Sequence, residues 1–310
     1  MPFETIAQGD KYSRDQVYRG LVEEIVKVSP ILTLLPFDTV LGNSLKYNRE
    51  LALPAAAGFR APGATWTEAV HTETQVNVTL KIIGGDADID EFIRTTRSDE
   101  NDIEGIVLAE KAKAVIHNLE DEFVYGPVTN GFDGYHVLIG SGAQQVNAGA
   151  TTVPGAGSFG LLDQLIDLIK PAKPDVLLMS RRTRRQINKF ARTNSTFIST
   201  QRVGEFGQFV QFYNDIPLFV SDFIVDTEAI SSGRFSAKTG STASSIFALQ
   251  FGPGAYHGIQ AGDGLTVEPI GALETKDARR HRVKWYVAHA LKSTLALARL
   301  DGLSSADWTN

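Results

Sequence analysis

Asp99-Glu-Asn-Asp-Ile-Glu-Gly-Ile-Val-Leu-Ala-Glu-Lys-Ala-Lys-Ala-Val-Ile-His-Asn-Leu-Glu-Asp-Glu-Phe-Val-Tyr125 is the clearest helix in the chain. Ile103, Ile106, Val107, Ala114, Leu119 and Phe123 recur at helical spacing and make one apolar stripe. Asp99, Glu100 and Asp102 suit the positive end of the helix dipole, and Gly126-Pro127 stops it. At about 1.5 Å per residue, residues 103 to 125 span roughly 35 Å. That length suits a scaffold, a spine on which other elements are laid.

On its N-terminal side the periodicity changes to two residues. Leu45 and Tyr47 run out, Val76, Val78, Leu80 and Ile82 run back, and Leu53-Pro-Ala-Ala-Ala-Gly-Phe-Arg-Ala-Pro-Gly63 joins them without large apolar anchors. This predicts a long projecting two-stranded loop, a type of segment that usually carries function. Further upstream, Ser13 caps an amphipathic helix over residues 13 to 28, with Val17, Leu21, Ile25 and Val28 on one stripe. Pro30 and Pro36 then bracket Ile31 to Leu35, which reads as an extended apolar arm seeking a neighbour's surface rather than its own core.

On the C-terminal side, helices over 158 to 169 and 181 to 191 alternate with strands at 175 to 180, 216 to 220 and 245 to 251, an α/β unit spanning about 134 to 261. The tail alternates again, with Val283, Trp285 and Val287 on one face and Lys284 and Tyr286 on the other, then Leu295, Leu297 and Arg299. Long strands are expected to close the chain.

Composition narrows the chemistry. The chain has 310 residues, 43% of them apolar, and a net charge of −6, which places it among globular proteins and outside disordered and strongly basic nucleic-acid-binding classes. With no cysteine, disulfides, thiolate metal sites and Cys nucleophiles are ruled out. No apolar run approaches the roughly 18 residues that cross a bilayer, and the first thirty residues lack a signal-peptide pattern, so no membrane contact and a cytoplasmic protein are expected.

Gly155-Ala-Gly-Ser-Phe-Gly160 matches a dinucleotide fingerprint, but a Gly/Thr/Asn-rich stretch precedes it where a buried strand is needed, so it reads as a linker with Ser158 capping a helix. Glu110, His117, Glu120 and Asp121 have the wrong spacing for a carboxylate-bridged metal and read as a solvated helix face. His71, Glu68 and Glu73 read as solvated side chains on the loop, where no rigid surround could orient them as ligands. No catalytic, cofactor or metal residue is assigned. Two basic clusters remain: Arg181, Arg182, Arg184, Arg185, Lys189 and Arg192, and Arg279, Arg280, Arg282 and Lys284. Inter-subunit salt bridges to acidic stretches such as 86 to 91 or 99 to 102 are the preferred reading, with a solvated face or genome contact left open.

Taken in order, an arm, a projecting loop, a spine helix, an α/β unit and closing strands resemble the major capsid proteins of tailed bacteriophages, the Hong Kong ninety-seven fold shared with encapsulins. Ala64-Thr-Trp-Thr-Glu68, Val76 to Ile82 and Asp88-Ile-Asp-Glu-Phe92 look like the family's extended loop returning to its spine. Asp121 to Gly126 with Phe132-Asp-Gly134 looks like its helix end. Pro174 to Ser180 and Asp215 to Asp222 resemble its axial-domain strands.

The resemblance implies an α+β subunit with an N-terminal arm (1–42), an extended loop (43–95), a peripheral domain (96–133 and 262–310) and an axial domain (134–261). It implies a non-enzymatic shell protein forming pentamers and hexamers around double-stranded DNA, located in the virion capsid and in the host cytoplasm during assembly. The implied contacts are Pro30, Leu34, Leu35 and Phe37 in the arm, Phe59, Trp66 and Glu68 in the loop, and Arg181, Arg182, Arg184, Arg185, Arg280 and Arg282 elsewhere. The implied partners are other copies, a separate scaffolding protein, a portal, a decoration protein and, non-specifically, packaged DNA. Because the arm starts almost at Met1, a separate scaffold or prior processing is expected. Lys46 and Lys81 lie away from the loop tip, so inter-subunit crosslinking is not carried over. An encapsulin shell around a cargo enzyme, and a nucleotide-binding α/β enzyme, are the competing readings.

Overall fold

The computed structural model describes residues 27, 30–53, 58–66, 68–97, 103–140, 142–150, 153–194, 199–202, 209–231 and 234–309. The helix expected over 13 to 28 lies outside them, apart from Lys27. In chain order the elements are α1 (Ile31–Leu34), β1 (Phe37–Thr39), β2 (Ser44–Ala52), β3 (Thr72–Thr79), β4 (Lys81–Asp90), α2 (Glu91–Arg97), α3 (Ile103–Tyr125), α4 (Tyr135–Ile139) and β5 (Gln145–Asn147). Then come α5 (Phe159–Asp167), β6 (Val176–Met179), α6 (Arg181–Thr193), β7 (Ser199–Arg202), β8 (Phe209–Tyr213), β9 (Ile216–Val220), β10 (Ala229–Ser231), β11 (Arg234–Ala237), β12 (Ser244–Leu249), β13 (Tyr256–Ala272), β14 (Ala278–Leu291) and β15 (Leu297–Leu303).

All four residues of β6, Val-Leu-Leu-Met, are buried, because both faces of its sheet are covered. Val176 and Leu178 face a core shared with α3, and Leu177 and Met179 face a second core under α5 and α6. β12 repeats the division, with Phe247 and Leu249 on the first side and Ile246 and Ala248 on the second. The sheet has seven strands in the order β5-β15-β12-β6-β9-β8-β7. A four-stranded sheet, β1-β13-β14-β4, lies on the α3 side, where Val287, Ala288 and Ile259 join Leu119 and Phe123 in one core.

The spine occupies Ile103 to Tyr125 as its periodicity predicts, with Ile103, Val115, Leu119 and Phe123 buried; Ala114 falls outside the buried stripe. Its end is a packed turn. Gly126 N donates to Glu122 O at 2.9 Å, Val128 N to Glu122 Oε1 at 3.0 Å, and the Phe123 and Phe132 rings meet at 5.3 Å. Gly131 has no room for a Cβ because the Glu122 carboxyl occupies that space. Burial raises the Glu122 pKa above its ordinary value. Glu120 is buried as well, so the expected solvated face is corrected there: the helix is covered on that side too.

Residues 30 to 37 correct the arm. Pro30 opens one helical turn, where a missing N–H costs nothing, and its carbonyl accepts from Thr33 and Leu34. Ile31 and Leu35 are 1% and 4% exposed, and Leu34 and Phe37 pack partly buried against the same core. Phe37 lies 5.6 Å from the Trp285 ring, over Gly258, where a Cβ would collide with it. The apolar surface of Leu34, Leu35 and Phe37 is therefore used within its own chain. The domain bounds shift too, because β15 sits inside the seven-stranded sheet and not with the peripheral strands.

His289 Nε2 donates to Asp133 O at 2.6 Å within an aromatic cage of Phe123, Phe132, Tyr135 and Tyr256. Because burial lowers its pKa to about 4, the folded ring is neutral and donates. An unfolded histidine takes up a proton near pH 6.5. The contribution of His289 is therefore complete above about pH 6.5 and is lost as pH falls towards 4, roughly 3 kcal/mol in all. Melting temperature should drop more steeply between pH 6.5 and 4 in the wild type than in His289→Gln, which keeps a donor but does not titrate. Leu35→Ala should cost about 2–5 kcal/mol in denaturant unfolding, the range for emptying a buried leucine site; an arm lying free of the core would give almost none.

Candidate assembly surfaces

β2 and β3 pair antiparallel from Ser44↔Thr79 to Ala52↔Thr72, and the projecting loop is their hairpin. β4, read as its returning limb, instead crosses into the four-stranded sheet. The root of the hairpin packs through Leu45, Tyr47, Val78 and Leu80, while the outer half of β3 is exposed on both faces. Two side chains latch it. The Tyr47 hydroxyl donates to Leu291 O at 2.7 Å, and Arg49 donates to Leu291 O at 2.6 Å and Lys292 O at 2.9 Å. Burial raises the Tyr47 pKa, so its hydroxyl keeps the proton it donates. Between hairpin and body lies a cleft of about 350 Å³ lined by Tyr47, Arg49, Phe132, Asp133, His289 and Leu291.

Towards the tip, Phe59, Trp66 and Glu68 are all exposed, Trp66 by 64%, with the Arg60 guanidinium 5.4 Å from the Trp66 ring. The structure thus brings the predicted loop residues onto one projecting segment. His71 and Glu73 meet at 2.9 Å on the exposed part of β3.

The basic clusters behave differently. Arg280 lies directly opposite Asp88, and Arg282 opposite Asp86, in the β14–β4 register. They bond at 2.6 and 2.7 Å. Hydrogen bonds from Arg282 and Arg280 hold Asp86 and Asp88 below the ordinary carboxylate range. The acidic stretch 86 to 91 is the predicted counterpart, but within the same chain, so the inter-subunit reading of Arg280 and Arg282 is corrected. Antiparallel register brings oppositely charged side chains opposite each other and satisfies them internally. Arg181 and Arg182 likewise pair with Asp222 and Asp226 of their own chain. Arg184 and Arg185 are exposed.

The fingerprint at 155 to 160 is a packing device. A Cβ on Gly157 would strike the Trp308 ring, and one on Gly155 the backbone of Ala148, while Ser158 caps α5 through Leu161 N. Among the described residues no group of metal-ligating side chains is assembled.

One constellation escaped the sequence reading. Arg299 and Asp301, 0% and 1% exposed, bond at 2.7 Å; Arg299 also bonds His136 Nδ1 and Phe235 O, and Gln145 donates to Asp301 at 2.6 Å. His136 Nε2 faces Glu228 Oε1 at 3.3 Å, and Glu228 accepts from the Tyr125 and Ser245 hydroxyls at 2.8 and 2.5 Å. Burial raises the pKa of Asp301 and of Tyr125. The network ties the end of α3 and α4 to the seven-stranded sheet. Its visible signal was an Arg and an Asp two apart inside the otherwise apolar run Leu297 to Leu303.

This architecture recurs in solved shell proteins. The holo-SrpI encapsulin complex from Synechococcus elongatus PCC 7942 matches over 100% of this chain and 99% of its own, with a TM-score of 0.70 at 17% identity. The capsid of a native GTA particle matches over 97% and 98%, with a TM-score of 0.67 at 14% identity. Microbacterium phage Oxtober96 gives 97% and 99%, 0.64 and 13%. The chain has the fold of these capsid and encapsulin subunits. No family model matches the sequence, and no curated protein does.

Releasing the latch tests what holds the hairpin. Tyr47→Phe with Arg49→Ala should raise hydrogen exchange in 44–52 and 72–79 by roughly tenfold or more, since each lost bond removes about 1 kcal/mol of local protection. Unchanged exchange would mean that the root contacts alone suffice.

Proposed function

We propose that this chain is the major capsid protein of a tailed phage, assembling as pentamers and hexamers into an icosahedral shell around double-stranded DNA. The observation that carries the reading is a match to capsid subunits over 97% of this chain, together with large apolar side chains exposed at the hairpin's tip. A subunit that stayed alone would leave Phe59 and Trp66 in water; in a shell they become contacts to neighbours. Its role is structural and non-catalytic, and it acts in the virion after assembly in the host cytoplasm. A scaffolding protein, a portal and a decoration protein are the proposed partners, with packaged DNA contacted non-specifically.

The contact surface we propose is Phe59, Trp66 and Glu68 at the hairpin, with Arg184 and Arg185 on α6. A second reading, an encapsulin shell, is favoured by the encapsulin that aligns with the whole chain at a TM-score of 0.70.

Expression of the chain alone and with its genomic neighbours, followed by light scattering and electron microscopy, tests both. Closed shells or capsomers support a shell subunit, and shells recovered with a co-encoded enzyme inside select the encapsulin. A monomer under every condition overturns both. Trp66→Ala should lower assembly by at least about tenfold while leaving subunit melting unchanged, because truncating an aromatic anchor costs ~2 kcal/mol per interface. A shift in melting without a change in assembly would place Trp66 in its own subunit's packing.

A further inference from the structure

The arginines of this protein divide sharply. Among those whose side chains are described, Arg49, Arg60, Arg94, Arg181, Arg182, Arg279, Arg280, Arg282 and Arg299 each meet a carboxylate or a backbone carbonyl of their own chain. Arg184, Arg185 and Arg192 meet neither among the described residues, and all three are exposed on α6. At 100° per residue Arg181, Arg185 and Arg192 form one stripe about 16 Å long, with Arg184 beside it. Like charges at i and i+4 weaken a helix. A helix in an acidic chain that keeps three guanidiniums without a counter-charge among the described residues calls for an anion from outside.

The adjacent helix carries the opposite sign. α5 and α6 cover the same face of the seven-stranded sheet, joined by the Phe159–Phe190 ring contact at 5.3 Å. α5 exposes Asp163, Gln164 and Asp167. Asp163 accepts one bond, from the Tyr213 hydroxyl at 2.8 Å, and Asp167 meets no cation among the described residues. Lys170 and Lys173 follow only past the helix end, Lys173 being held by Asn214. The carboxylates, i and i+4 apart, repeat the spacing of about 6 Å between Arg181 and Arg185.

We infer that α6 of one copy docks on α5 of the next, Arg184, Arg185 and Arg192 engaging Asp163 and Asp167. The occupant of the basic face is therefore a second copy of this chain. Two different patches on one sheet face make a heterologous, head-to-tail contact, and such contacts close into rings when the rotation permits. Guanidinium–carboxylate forks supply direction as well as attraction. The inference rests on the shell reading for its ring and specifies which surfaces form it.

The absence of cysteine makes the test clean. Gln164→Cys and Asn188→Cys, each placed between the charged residues of its helix, should together give a ladder of disulfide-linked multimers on a non-reducing gel. Either variant alone should stay monomeric, because the contact never sets a position against itself, and a single cysteine per chain can in any case give no more than a dimer. No ladder beyond the single variants overturns the contact. In the cysteine-free chain, Arg184→Glu with Arg185→Glu should lower assembly at least about tenfold with melting unchanged, and adding Asp163→Lys with Asp167→Lys should restore it. Intact assembly after the arginine reversal, with salt-sensitive binding to duplex DNA lost, assigns the face to nucleic acid and overturns the contact. Shells without a ladder would sink this contact and keep the shell; a ladder without shells would do the reverse.

Discussion

Everything in this chain depends on hiding both faces of the seven-stranded sheet. A sheet with one wet face can alternate polar and apolar side chains, but β6 is apolar throughout and β12 is buried at every position, so both need a cover on each side. α5 and α6 supply one. The other is built from α3, the four-stranded sheet and the turn of chain around Ile31 to Phe37, whose apolar residues complete the same core. The spine helix is therefore more than a ruler: Leu119, Phe123 and Val124 are the points at which two sheets become one body.

Charge is handled by the same economy. Cross-strand register matches Arg280 and Arg282 to Asp88 and Asp86, and a sealed network joins Arg299, Asp301, His136 and Glu228 between the spine and the sheet. Buried charges of this kind stabilise little by their presence but are costly to break, so they fix which elements meet more than they deepen the fold. What is left unsatisfied then stands out against this background: aromatic residues at the hairpin tip and a row of guanidiniums on α6. These two exposed surfaces are the ones on which the proposed assembly contacts rest.

Much of the fold was legible. The spine, the strand Ile216 to Val220, the helix from Arg181 and the alternation of Val283, Trp285 and Val287 all follow from periods of 3.6 or 2, because each element has one face that must be buried. The candidate surfaces were legible in part. The stretch around Phe59 reads as projecting because nothing local could anchor it, Trp66 was implied as a loop contact by the resemblance, and both side chains are exposed. The arm misled, because Ile31 to Leu35 is too short to show a period and its apolar character says only that it is covered, not by which molecule. Arg280 and Arg282 misled for a related reason: sequence names the acidic counterpart but not the chain that carries it.

Local periodicity and composition were enough to give the absence of thiol chemistry and the order of loop, spine, α/β unit and closing strands. Tertiary structure alone decided the partners. That Leu35 lies under its own spine, that Asp86 faces Arg282 across 196 residues, that β15 returns to the central sheet and that Tyr47 and Arg49 grip the end of β14 are all contacts between distant segments. Their pairing is set by register and layer packing, which no local period encodes.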